Sequence, residues 1–178
     1  MSVQIVLVWS RVPSVAMNAT VNVSAVCRDR FATVDVDTFR QRSCTLCFFY
    51  LFKDAGGLAP SRGNYTHLVR LNGSEVVERH VVDGEDPASL DRVCRRLADD
   101  MGGVDGCRRW TQCCTTADAC CQRQRRRADA AGTHQLTVAP ASCEATWDGF
   151  SCWDRTPAGS VVHQQCPVYM YRFDVNGL

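Results

Sequence analysis

The clearest pattern of apolar positions lies in the middle of the chain and predicts two helices. In residues 88–101 the apolar side chains recur at intervals of three and four, so they share one helical face. Gly102 and Gly103 predict the end of this helix. A second helix is predicted to begin near Asp105. Its periodic stripe consists of Trp110, Cys113, Cys114, Ala117, Cys120, Cys121 and Gln124.

Outside this region the pattern predicts short strands. Residues 31–39 alternate between polar and apolar positions and are predicted to form a strand. Residues 66–82 are predicted to form a hairpin, with Asn72 and Gly73 at the centre of a type I′ turn. The remainder of residues 1–90 shows little periodicity, which gives no functional indication.

The C-terminal region has neither a helical period nor a long apolar run. Residues 128–142 are rich in Ala, Gly and Pro and are predicted to be a linker. Gly149–Trp153 and Ser160–Cys166 have the length of strands, and Pro157 and Gly159 predict a turn between them. The sequence therefore predicts a small β-hairpin unit attached to a helix, too small to fold without disulfides.

Cysteine content and glycosylation motifs favour an oxidising, secretory environment. The chain has 12 cysteines among 178 residues, which is high for a cytosolic protein. It also has four N-x-[ST] motifs, which are potential glycosylation sites, at Asn18, Asn22, Asn64 and Asn72. We expect residues 1–16 to be a weak signal peptide, residues 17–104 an extension of uncertain structure, and residues 105–178 the folded unit.

The sequence does not favour an enzyme, a metal site or a nucleic-acid interface. Cys44 and Cys47 form a C-x-x-C pair, but no second pair with zinc-ligand spacing accompanies it. We expect no cofactor. Arginines are frequent in residues 91–128, and Arg125, Arg126 and Arg127 form a run without interleaved aromatic side chains. Such a run is more typical of a solvated helix face than of a nucleic-acid surface.

Three aromatic residues, Trp147, Phe150 and Trp153, lie close together in the C-terminal region. On a regular strand Phe150 and Trp153 point to opposite faces, because their numbers differ by an odd value. One of them can then pack in the interior while the other lies at the surface. An exposed aromatic residue next to a disulfide-bonded core suits the binding of an amphipathic peptide.

The stretch from Cys143 to Asp174 resembles a known receptor module. It reads CEATWDGFSCWDRTPAG, followed by QCPVY and FD. This run is similar to the extracellular hormone-binding domain of class B (secretin-family) G-protein-coupled receptors, and most similar to the calcitonin receptor group, which includes invertebrate calcitonin-like diuretic-hormone receptors. The similarity extends more loosely back to about Trp110.

The resemblance implies an α+β, disulfide-rich fold, in which an N-terminal helix lies against two small antiparallel sheets. It implies that a helix cysteine bonds to Cys152. Cys120 fits that role best, and Cys113, Cys114 and Cys121 compete with it. It also implies that Cys143 and Cys166 bond to cysteines that would follow Leu178.

The family also implies roles for individual residues. Phe150, Trp147 and Tyr169 are expected to contact the ligand. Phe150 stands where vertebrate calcitonin-type receptors have tryptophan, so the ligand surface is expected to be altered. The residues expected to support the fold are Asp148, which organises a turn, together with Trp153, Gly159 and Pro167.

From this resemblance we expect a non-enzymatic domain that binds an amphipathic, calcitonin-like peptide hormone at the extracellular face of the plasma membrane. A single-span accessory subunit is a further expected partner, and a G protein would be reached only through a seven-helix domain that the chain lacks. We therefore expect a fragment of a receptor. The alternatives are a secreted decoy that binds the peptide, or a cysteine-rich inhibitor or structural module.

Overall fold

The computed structural model describes residues 26–52, 57–63, 65–131 and 141–170. The expected signal peptide and the glycosylation motifs at Asn18, Asn22 and Asn64 lie outside these ranges. The elements follow the order β1 (Val26–Arg28), β2 (Thr33–Asp35), α1 (Val36–Leu51), β3 (Leu58–Pro60), β4 (His67–Asn72), β5 (Glu75–Val81), α2 (Pro87–Arg96), α3 (Ala98–Met101), α4 (Val104–Ala131), β6 (Ser142–Cys143), β7 (Thr146–Trp147), β8 (Cys152–Trp153), β9 (Thr156–Pro157) and a 3₁₀ turn (Val168–Met170).

The long helix α4 is the centre of the fold, and the sequence predicted both its start and its buried face. Trp110, the paired cysteines and Ala117 are all buried along one side. The indole nitrogen of Trp110 donates a hydrogen bond of 2.9 Å to the carbonyl oxygen of Cys44. The predicted linker begins too early, because the helix continues to Ala131. The arginine- and alanine-rich sequence there favours helix over coil.

Five disulfides join the described parts of the chain, and α4 supplies one cysteine to each of them. Four bridges reach the segment 17–104, which was expected to be an extension of uncertain structure. The fifth reaches the C-terminal hairpin. The pairs are Cys27–Cys121, Cys44–Cys114, Cys47–Cys113, Cys94–Cys107 and Cys120–Cys152.

Helix α1 replaces much of the strand that was predicted for residues 31–39. Only Thr33–Asp35 is extended, and it pairs with β1. Asp35 then caps α1, since its carboxylate accepts a hydrogen bond of 2.8 Å from the backbone N–H of Thr38. The prediction of a strand was wrong because the alternation of polar and apolar residues continues past the helix cap at Asp35 into the first turn of α1. Farther along α1, residues 42–48 are all buried, which leaves no polar face to reveal a helical period.

A three-stranded antiparallel sheet has the order β3-β4-β5 and contains the predicted hairpin. Its turn differs from the prediction, because Asn72 pairs with Glu75 and the central residues are Gly73 and Ser74. Gly73 has a φ of 61°. Among the described non-glycine residues only Tyr65 has positive φ, so Ser74 does not, and the pattern is that of a type II′ turn. Asn72 is exposed at the end of β4.

The predicted helix at residues 88–101 forms as two pieces, α2 and α3. Asp86 caps α2 through the N–H of Ala88, and Pro87 occupies the first turn. The predicted stripe is buried as expected and consists of Leu90, Val93, Cys94, Leu97 and Met101. Gly102 ends α3 in the left-handed conformation, with a φ of 77°.

The C-terminal region forms two small two-stranded sheets, β7-β8 and β6-β9. The strand predicted at Gly149–Trp153 is limited to Cys152–Trp153, because the preceding residues form the turn of the β7-β8 hairpin. The strand predicted at Ser160–Cys166 is wrong. That segment has no regular structure and is exposed throughout. Neither strand pairing nor burial therefore offsets the conformational entropy that a strand would lose there.

The structure confirms the predicted fold class, a small disulfide-rich α+β unit with helices and short antiparallel sheets. Within the described ranges, no helix is both long and apolar enough to cross a lipid bilayer.

The disulfide between α1 and α4 yields a stability prediction. Replacing both Cys47 and Cys113 by alanine should lower the free energy of unfolding by about 2–5 kcal/mol, because the bridge restricts the unfolded chain. Urea denaturation followed by circular dichroism measures the change. The control is Cys143→Ala, at an exposed unbonded cysteine. Equal stability of the double variant and this control would contradict the role of the bridge.

Candidate functional site

The turn between β7 and β8 is organised by the carboxylate of Asp148. One carboxylate oxygen accepts hydrogen bonds from the backbone N–H groups of Phe150 and Ser151, at 2.8 and 2.7 Å. The other accepts a bond of 2.6 Å from the indole nitrogen of Trp153. The backbone N–H of Asp148 also donates to the carbonyl oxygen of Ser151, at 3.1 Å. Asp148 therefore holds both the turn and the Trp153 ring through hydrogen bonds.

The two tryptophans of this hairpin have different environments. Trp147 was expected to contact a ligand, but it is only 1% exposed and belongs to the hydrophobic core. Trp153 was expected in the core, but it is partly exposed and is held at its edge by Asp148. The reason is that β7 packs against α4, so the strand face that carries Trp147 has no access to solvent.

Phe150 lies at the tip of the same turn and remains partly exposed. Its ring centroid is 4.9 Å from that of Tyr50 on α1, a separation typical of favourable aromatic pairs. The neighbouring Gly149 has a φ of 108°, and a Cβ atom there would lie 2.9 Å from the Tyr50 ring. Only glycine allows this close approach. Tyr50 and Phe150 thus form one continuous aromatic surface.

Tyr169 supports Phe150 from within the protein. It was expected to contact a ligand, but it is only 3% exposed. Its hydroxyl donates a hydrogen bond to the carbonyl oxygen of Phe150, and its own carbonyl accepts one of 2.9 Å from Nε of Arg109. Burial raises the pKa of Tyr169 well above its ordinary value. The raised pKa strengthens the preference for the protonated hydroxyl, which is the form that donates to the Phe150 carbonyl.

The other residues singled out from the sequence lie farther from this surface. Gly159 occupies an exposed turn with a φ of 80°, and partly buried Pro167 accepts a hydrogen bond of 3.0 Å from Met170 N–H. Cys120 and Cys152 are bonded, with a Cα–Cα distance of 5.4 Å. Cys143 and Cys166 are exposed and unbonded within the described structure.

Sequence reasoning missed the contribution of β1 to this site. Asp29 forms a parallel β-bridge with Trp147, and its buried carboxylate pairs with Arg42 at 3.0 Å. Gln124 on α4 bonds both backbone polar groups of Arg28, accepting from the N–H at 2.7 Å and donating to the carbonyl oxygen at 3.0 Å.

The spacing of Cys44 and Cys47 was a usable signal for helix α1 and for its disulfides to α4. An i, i+3 spacing places both cysteines on one helical face.

No group of three or more His, Cys, Asp or Glu side chains is arranged to hold a metal ion in the part of the chain that the structure describes. Cys44 and Cys47, the C-x-x-C pair, are both bonded to cysteines of α4.

The comparisons with known proteins concern the segment that contains this turn. Residues 140–178 match the family model for the hormone receptor domain. We refer to residues 140–178, which carry this match, as the hormone receptor segment. The resemblance to class B receptors, noted from the Cys143–Asp174 run, is confirmed for these residues.

The relatives of the hormone receptor segment include calcitonin receptors and calcitonin gene-related peptide type 1 receptors. It is 59% identical over 32 residues to the calcitonin receptor of Sus scrofa, a match covering 18% of this chain and 6% of that protein. The human calcitonin receptor is 56% identical over 32 residues, covering 18% and 7%. The calcitonin gene-related peptide type 1 receptor of Oncorhynchus gorbuscha is 50% identical over 36 residues, covering 20% and 8%.

The matches thus span less than a tenth of the length of these relatives. No solved structure matches the chain significantly.

The Asp148 turn can be tested by Asp148→Asn. We expect the free energy of unfolding to fall by about 1–3 kcal/mol, because an amide cannot accept all three hydrogen bonds and leaves a donor unpaired. The control is Asp154→Asn, whose carboxylate is 46% exposed and pairs with Arg127, a type of contact that contributes at most about 1 kcal/mol. Chemical denaturation measures the free energy of unfolding of both variants. A smaller loss of stability in Asp148→Asn than in Asp154→Asn would contradict the role of Asp148 in the turn.

Proposed function

We propose that the hormone receptor segment, together with α4, binds an amphipathic peptide hormone of the calcitonin type through the surface around Phe150. The observation that carries this proposal is the coincidence of two features in one turn. Residues 140–178 match the hormone receptor domain, and the relatives include calcitonin receptors. The Asp148 turn within this segment leaves Phe150 partly exposed.

The geometry supports a division of roles between the three residues expected to contact the ligand. Phe150 is the one that retains solvent access, so it is the anchor for an apolar side chain of the peptide. Trp147 and Tyr169 are buried and serve as positioning residues. Tyr169 holds the Phe150 backbone directly, and Trp147 fixes the strand that precedes the turn.

The matched family consists of hormone receptors and is not an enzyme family. We place the site at the extracellular face of the plasma membrane, in a receptor whose membrane domain engages the G protein. A single-span accessory subunit would complete the partners. Five disulfides and the exposed glycosylation motif at Asn72 are consistent with that side of the membrane.

Calorimetry with an amidated calcitonin peptide tests the proposal. Phe150→Ala should weaken binding by roughly 1–3 kcal/mol, in the range of an interface anchor, without loss of the folded state. Val161→Ala, at a side chain that is 64% exposed, is the control and should bind like the parent protein. The absence of binding by the parent protein, or equal affinity of parent and Phe150→Ala, would contradict the proposal.

A further inference from the structure

A row of aromatic rings continues the Phe150 surface onto the N-terminal part of the chain. We define the aromatic row as the four rings of Phe150, Tyr50, Phe31 and Tyr65 together with Arg30, which lies between Tyr50 and Phe31. From Tyr50, whose ring meets Phe150 at 4.9 Å, the row passes to the Arg30 guanidinium, 5.7 Å from the Tyr50 centroid and 4.9 Å from that of Phe31. The rings of Phe31 and Tyr65 then stack at 5.7 Å.

The backbone around this row is held in place. Asp29 accepts hydrogen bonds from the N–H groups of Phe31 and Ala32, both at 2.8 Å, and the same carboxylate is anchored by Arg42. Tyr65 has a φ of 57°, an uncommon conformation for a bulky residue that costs free energy. The Asp29 hydrogen bonds thus hold the backbone beside Phe31, whose ring stacks on that of Tyr65.

The aromatic row contains exposed rings that lie next to each other, unlike isolated apolar residues on a protein surface. Phe31 is 49% exposed and Tyr65 is 36% exposed, and they lie next to each other. Contiguous exposed aromatic side chains are typical of interaction surfaces, and tyrosine and arginine are enriched among residues that dominate binding. The row therefore has the composition of an interface.

Arg30 gives the row its chemical selectivity. Arg30 is an exposed residue, and its guanidinium contacts two aromatic rings. The described ranges contain no carboxylate in an ion pair with it. A cation between aromatic rings attracts a carboxylate that is flanked by apolar groups, because the rings exclude water and strengthen the charged hydrogen bond. The complementary partner is consequently acidic at this one position.

We propose that the aromatic row is a second part of the peptide-binding surface, contacting a peptide segment in which one acidic side chain lies between apolar residues. The inference rests on the proposed function, because the row is continuous with Phe150 through Tyr50. The acidic side chain pairs with Arg30, and its apolar neighbours pack on Phe31 and Tyr65. The N-terminal part of the chain is then a direct participant in ligand selection.

The experiment uses the whole chain and a set of amidated calcitonin peptides. In each peptide a single position carries aspartate, asparagine or lysine in turn. We expect one position at which aspartate binds about 5- to 30-fold more tightly than asparagine, the span of a 1–2 kcal/mol contact. Arg30→Gln should remove this preference, and raising the ionic strength should reduce it for the parent protein.

Variants of the rings complete the design. Phe31→Ala and Tyr65→Ala should each weaken binding of the aspartate peptide about 5- to 30-fold. Two controls lie on other elements, α2 and β5. Arg92→Gln removes an arginine that is 63% exposed, and Val77→Ala shortens a side chain that is 54% exposed. Both should bind like the parent protein, and circular dichroism verifies that every variant is folded.

The outcomes separate this inference from the proposed function. If Phe150→Ala weakens binding while Phe31→Ala, Tyr65→Ala and Arg30→Gln do not, the aromatic row is not part of the site and the proposed function stands. If the parent protein binds none of the peptides, both proposals are overturned. If Phe31→Ala instead converts a dimer to a monomer in sedimentation, with unchanged peptide affinity, the row is a self-association surface and the inference fails.

Discussion

The structure depends on the cysteine-bearing face of α4. Five of its cysteines form disulfides, and they lie beside Trp110, whose indole nitrogen bonds the Cys44 carbonyl inside the core. Most of the stability of a helix in a protein comes from the packing of its apolar face, and in α4 that face carries these cysteines and Trp110. The bridges and the buried tryptophan therefore fix the relative positions of α1, β1, α2 and the C-terminal hairpin.

The candidate site inherits its shape from this arrangement. Cys120 bonds the hairpin to α4 on one side, and Cys47 and Cys44 bond α1 on the other. Tyr50 is one helical turn beyond Cys47, so the bridge brings its ring against Gly149 and Phe150. The surface at Phe150 is thus built by two parts of the chain that are far apart in sequence.

The sequence predicted those features whose signal is local. The apolar period of α2 to α4 and the stop at Gly102 follow from short patterns of residue types. Helix α1 was missed, because its centre is buried on every side and its cap at Asp35 continues an alternating run. The bond between α4 and β1 at Gln124 was not predictable, since it depends on residues 96 positions apart.

The two tryptophans show the same limit within the site. The motif identified both Trp147 and Trp153, but exposure depends on which strand face meets α4, and that is a property of the tertiary packing. The buried face carries Trp147. Likewise, no pattern in the sequence indicated that Phe31 and Tyr65 would stack, because each belongs to a different loop.

The central claim is that α4 carries one partner of every disulfide that joins the described parts of the chain. Mass spectrometry of the secreted protein after digestion without reduction tests it most directly. The account predicts that peptides containing Cys27, Cys44, Cys47, Cys94 and Cys152 are each linked to peptides of residues 104–131. Bridges among those five cysteines themselves, with the α4 cysteines unbonded, would contradict it.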